Sequence, residues 1–247
     1  MAGHSKWANI RHRKGAQDEK RGKIFTKIIK EITVSSRIGG GEVESNHRLR
    51  KAVANAKSNN MPANNIARAI KKGTGELEGV SYEEVSYEGY GPGGVAIIMD
   101  VITDNRYRTV ADIRHLLTKH GGKLGENGSV SWMFDKKGQI IIEKIPGNDD
   151  AIFEAAIQYG ANDFSIDSDF YAVITDETVI MDVREGLEDE GYTIRSSEIE
   201  MIPKTLQNLD GREAKNALKL LEALDDHDDI NHVYSNFDFD DSIIHKN

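Results

Sequence analysis

Apolar residues recur every three or four positions through the first third of the chain. Ile24, Phe25, Ile28, Ile29 and Ile32 share one side of a helix predicted to begin at Asp18. Leu49, Ala52, Val53 and Ala56 mark a second helix over 44–58, and Ile66, Ala69 and Ile70 a third between Pro62 and Gly73. Proline at the start and glycine at the end suit that third helix, because the first turn needs no amide hydrogen and the last residue favours a conformation open to glycine. Gly39, Gly40 and Gly41 break the first helix, and 58–61 forms the turn between the other two. After Gly73 and Gly75 the period shortens to two. Residues 82–88 alternate as a strand, 89–94 make a tight connection, and 95–102 continue as a second strand. A helix over 108–120 follows, capped by Asn105 or Thr109, with Val110, Ile113, Leu116 and Leu117 inward; short strands at 123–124 and 130–134 come next.

Residues 138–202 read strand, helix, strand, strand, helix, strand, at 139–143, 149–159, 164–166, 171–175, 179–190 and 193–202. That order is the ferredoxin-like split βαβ. The preceding module reads the same way if it is discontinuous. Strand 95–102, helix 108–120, strand 123–124 and strand 130–134 supply its first part; helix 212–224 and strand 232–237 return to complete it. This gives the late apolar stripe of Ala214, Ala217, Leu218, Leu221 and Leu224 a sheet to cover. The expectation is a multidomain α+β protein: a three-helix domain over 1–75, a ferredoxin-like domain from 80–136 plus 205–240, and a second ferredoxin-like domain, 137–204, inserted in it.

Charge changes the picture more than composition does. Residues 1–72 hold 17 Lys and Arg against 5 acids, a net of +12. Subtracting from the chain's 32 and 41 leaves 15 against 36 in 73–247, a net of −21. A basic head on an acidic body argues that the head meets a polyanion. Lys6, Trp7, Arg11, His12, Arg13 and Lys14 interleave cations with an aromatic, which suits phosphate contact plus base stacking, although a tucked-in Trp7 on a solvated arm is the plainer alternative. Lys20, Lys23, Lys27 and Lys30 share one helical stripe beside Arg21, a repulsive arrangement for which helix stability gives no reason. Arg48, Arg50, Lys51, Arg68, Lys71 and Lys72 add cations on the next two helices, and Asn64 and Asn65 lie where they can reach base edges.

Other chemistries are poorly served. With no cysteine, thiol catalysis, disulfides and thiolate zinc sites are excluded. Gly89, Gly91 and Gly94 spell G-x-G-x-x-G, but a strand follows instead of the helix a pyrophosphate would need. His115 and His120 are five apart on one helix, wrong for sharing a metal, and the acids around His227 read as a solvated helix end. Arg106 and Arg108 form the one tight arginine pair of the acidic body, more suited to an internal ion pair than to an anion site. The expectation is a non-enzyme with no cofactor and no metal. The absence of a membrane span or an apolar leader makes the expected location cytoplasmic.

The motifs then point further. Gly3-His-Ser-Lys-Trp7, His12-Arg-Lys14, Asp18 with Arg21-x-Lys23-x-Phe25, Leu49-Arg50, Asn60-Met-Pro62, Asn65-Ile66, Arg68-Ala-Ile70, Tyr87-Glu-Gly-Tyr-Gly-Pro92, Thr103-Asp-Asn105, Gly121-Gly122 and Gly128-Ser-Val130 together resemble the YebC/PmpR family of bacterial regulatory proteins. Tyr107 stands where that family usually has Asn, so no role is transferred to it. The resemblance implies three domains and DNA-binding transcriptional regulation. Related proteins, among them a mitochondrial translational activator of cytochrome oxidase, act on translation, and bacterial members are linked to ribosomes stalled on proline-rich stretches. The alternative expectation is therefore a ribosome-associated factor acting on rRNA. Oligomeric state has no signature in the sequence.

Overall fold

A computed structural model describes Trp7 and residues 21–239. The described helices of the head are α1 (Arg21–Gly39), α2 (His47–Ser58) and α3 (Ala63–Gly73). Ile28, Ile32, Leu49, Val53, Ala56, Met61, Ile66 and Ala69 form their common core. The second helix begins later than its apolar pattern suggests because Asn46 caps it, accepting the Leu49 amide at 3.1 Å. Asn60, at φ 57°, turns the chain between α2 and α3. Left-handed backbone is a conformation that asparagine tolerates better than most residues.

Next come β1 (Glu83–Tyr90), β2 (Ala96–Thr103), α4 (Arg106–Lys119) and β3 (Lys123–Leu124). They are followed by β4 (Phe134–Glu143), α5 (Asp149–Gln158), β5 (Asp163–Ile166), β6 (Phe170–Thr175), α6 (Ile180–Asp189) and β7 (Ile194–Pro203). The chain ends with β8 (Gln207–Leu209), α7 (Gly211–Asp225), β9 (Ile230–Ser235) and β10 (Phe237–Phe239). The protein is α+β, a helical head followed by two antiparallel four-stranded sheets, the second of them ferredoxin-like in element order and inserted between strands of the first.

The inserted sheet runs β5-β6-β4-β7, antiparallel throughout, and packs its Ile140, Ile142, Tyr171 and Val173 on α5 and α6. The outer sheet runs β3-β1-β2-β9. Ile97, Met99, Val101 and Val233 on one face meet Ile113 and Leu117 of α4 and Leu220, Leu221 and Leu224 of α7. Ala96 and Ile98 on the other face meet Val130 and Phe134, so both faces of β2 are buried, as an apolar run interrupted only by Asp100 requires.

Two sequence expectations change here. Residues 130–134 do not supply a strand of the outer sheet; β1 takes the place beside β2 instead. The buried Glu88 carboxylate accepts amides from Gly128 at 2.7 Å, Val130 at 2.6 Å and Ser131 at 2.9 Å, which leaves that segment too few free N–H groups for a ladder. The strand predicted at 139–143 begins five residues earlier, at Phe134, because the long partner β7 pairs with all of it.

Candidate nucleic-acid interface

The lysine stripe of α1 has an internal partner. Lys23 Nζ donates to the Asp226 carbonyl at 3.1 Å, Lys27 Nζ to that of Asp225, and Lys30 Nζ to that of Asp228 at 2.8 Å. These carbonyls lie at and just beyond the C-terminus of α7, where the helix leaves oxygens unsatisfied and its dipole favours cations. Lys30 also forms an ion pair with the Asp229 carboxylate, and both side chains are buried. Asp229 further accepts from Thr109 Oγ1 at 2.6 Å and Arg108 Nη2 at 2.9 Å. Burial pushes the Asp229 carboxyl up, but the bonds from Lys30, Thr109 and Arg108 outweigh it and hold the group well below the usual carboxylate range. The stripe therefore does have a structural reason, and its partner lies some 200 residues away. Lys30 is committed to this joint and is removed from any phosphate surface.

Trp7 is corrected too. Its ring is 2% exposed in the core of the outer sheet, and Nε1 donates to the Val233 carbonyl at 3.0 Å. It cannot stack on a base. Lys6, Arg11, His12, Arg13, Lys14 and Lys20 lie outside the described residues, as does the side chain of Arg21.

Arg48 joins head to body. Its guanidinium grips Glu31 at 2.6 and 3.0 Å and Glu84 at 2.6 Å. The hydrogen bonds to Glu31, opposed in part by burial and reinforced by Glu84, raise its pKa above the ordinary guanidinium value. Lys51 pairs with Glu198 at 3.2 Å.

The cations left on the outer side of α2 and α3 are different. Arg50, Lys57, Arg68 and Lys71 are exposed, Lys72 is half-buried, and none of the five has a carboxylate partner among the described residues. Residues 45–75 contain seven Lys and Arg and no acid. Exposed Asn55, Asn64 and Asn65 lie among them. The sequence pattern points to Arg50, Arg68, Lys71 and Lys72 but not to Lys57, for which the acid-free run that contains it is the available signal. A helix pair joined at Asn59–Pro62 thus presents a surface of unpaired positive charge and amide side chains, able to hold phosphates and to hydrogen-bond base edges.

A cleft of about 540 Å³ between α1, α4 and residues 226–229 is lined by Lys23, Tyr82, Arg108, Asp112 and His227. Its buried carboxylate, Asp229, is already saturated with donors and so is unsuited to act as a base. Among the described residues no group of three His, Asp or Glu is arranged to hold a metal ion.

Comparison with known proteins follows the same division of the chain. Residues 5–76 match the profile described as the TACO1/YebC protein N-terminal domain, and residues 82–237 that of the TACO1/YebC second and third domain. A probable transcriptional regulatory protein of Geobacter sulfurreducens is 57% identical over 238 residues, covering 96% of each chain. One from Magnetococcus marinus is 55% identical, covering 99% of this chain and 98% of the relative. The crystal structure of a conserved hypothetical protein from Aquifex aeolicus superposes with a TM-score of 0.84 at 43% identity, over 92% of this chain and 94% of that one.

Proposed function

The chain belongs to the TACO1/YebC family, and from that premise we propose that it is a cytoplasmic transcriptional regulator that grips DNA through the outer face of α2 and α3. The observation that carries this reading is the acid-free span 45–75, whose Arg50, Lys57, Arg68 and Lys71 are exposed and have no carboxylate partner among the described residues, Arg50 bonding only the Val43 and Glu44 carbonyls, while Lys23, Lys27 and Lys30 of α1 are engaged with the body. The basic arm, with Arg11, Arg13, Lys14 and Lys20, adds phosphate contacts in this reading. The negative body limits adhesion to other polyanions and turns the basic face toward the duplex. No described helix is long and apolar enough to cross a membrane.

Replacing Arg50, Lys57, Arg68 and Lys71 together by Gln tests it. Duplex affinity should fall for all sequences alike, and the slope of log affinity against log salt should shrink by about 3 to 4. Unchanged affinity and slope would sink the assignment. Cosedimentation of the intact protein with ribosomes at physiological salt, without a footprint on duplex DNA, would move the target to rRNA and the role to translation.

A further inference from the structure

Helix α4 reverses the sign of the body it belongs to. Residues 105–123 hold Arg106, Arg108, Arg114, Lys119 and Lys123 against the single acid Asp112. Asp112 lies 3.6 Å from His227, and the neighbouring Asp104 is paired with Arg108 at 2.7 Å, so both nearby carboxylates are already engaged. Arg106, Arg114 and Lys119 are exposed and have no carboxylate partner among the described residues. Tyr107 is 88% exposed, the most open of the large apolar side chains described. Tyr107, Ala111, Arg114 and Thr118 follow one another at helical spacing, and the small Ala111 leaves the tyrosine ring uncovered. The exposed ring of Tyr107 buries little area within this fold, and Arg106 and Arg114 beside it have no carboxylate partner among the described residues.

We propose that this face of α4 is a second nucleic-acid contact, separate from α2 and α3, and that it takes a single-stranded segment: Tyr107 stacks on an unpaired base while Arg114, on the same face, and Arg106, at the start of the helix, meet phosphates. An intact duplex offers an exposed ring only phosphates, because its bases are stacked on one another. A looped RNA or a locally opened DNA strand offers the base face. This rests on the reading that the protein binds nucleic acid, and adds the kind of strand and the residues that hold it.

The test uses the full chain and 12-nucleotide RNA and DNA single strands carrying 2-aminopurine, with a matched duplex alongside. Wild type should bind the single strands and quench the probe. Tyr107→Ala should weaken single-strand binding roughly tenfold and abolish the quenching, with duplex affinity unchanged. Arg106→Gln with Arg114→Gln should lower the single-strand salt slope by about 1.4. A preference for the RNA or the DNA strand identifies the source of the ligand. If Tyr107→Ala binds and quenches like wild type, the inference fails. It fails as well if wild type holds duplex but no single strand, an outcome that leaves the α2–α3 interface standing. Absence of binding to any of the three overturns both.

Discussion

The Asp229 carboxylate shows how one residue decides what its neighbours are for. It is buried with Lys30 and takes hydrogen bonds from Thr109 and Arg108. Removing the charge by Asp229→Asn leaves the Lys30 ammonium buried without a countercharge, and stability should drop by about 3 kcal/mol in urea unfolding. The pH dependence has a definite sign. An unfolded Asp titrates near about 3.9, while the folded group sits lower, so its contribution is complete above that value and drains away as acid is added below it. The acid limb of the stability curve should therefore be flatter in Asp229→Asn than in wild type. Lys30 was read from sequence as a phosphate contact because helical spacing puts it in line with Lys20, Lys23 and Lys27. The acid that claims it is 199 residues away, and no local pattern carries that information.

At the scale of the element, the amphipathic helices were legible to within a few residues, since a 3.6-residue period is written along each of them. The strands were less so. Residues 134–138 carry Asp135, Lys136, Lys137 and Gly138, a polar run that nothing local marks as extended, and it is the pairing with β7 that makes them a strand. The displacement of residues 130–133 from the sheet likewise depends on Glu88, more than 40 residues before them. Helix packing in the head sets up a paired prediction. A Cβ on Gly73 would lie 2.6 Å from Ser36 Cβ and clash with the Thr33 carbonyl, where α3 crosses α1. One on exposed Gly22 in α1 would meet nothing within 4 Å. Gly73→Ala should cost about 2 kcal/mol and Gly22→Ala should gain about 0.5 kcal/mol, both read from thermal unfolding followed by helical circular dichroism.

For the whole molecule, the division into a basic head and an acidic body was legible from charge alone, but the way the two are fastened was not. Lys23, Lys27 and Lys30 sit on the end of α7, Arg48 spans Glu31 and Glu84, and Asn231 donates to Glu31 at 3.1 Å. Attraction between the halves thus consumes cations that a reading of the head by itself assigns to an external polyanion. Trp7 adds a further fastening, 226 residues from the carbonyl it bonds. Trp7→Ala should lower stability by about 3 kcal/mol or more through the cavity it leaves, measured by urea unfolding. Its loss should also shift the native emission to the red, since the other tryptophan, Trp132, is 67% exposed. Because Val233 and Asp225–Asp229 come so late, a nascent chain completes its head long before the groups that cover the α1 lysines have been made. Synthesis thus passes through an interval in which this protein is more cationic, and more open to passing RNA, than it will be once finished.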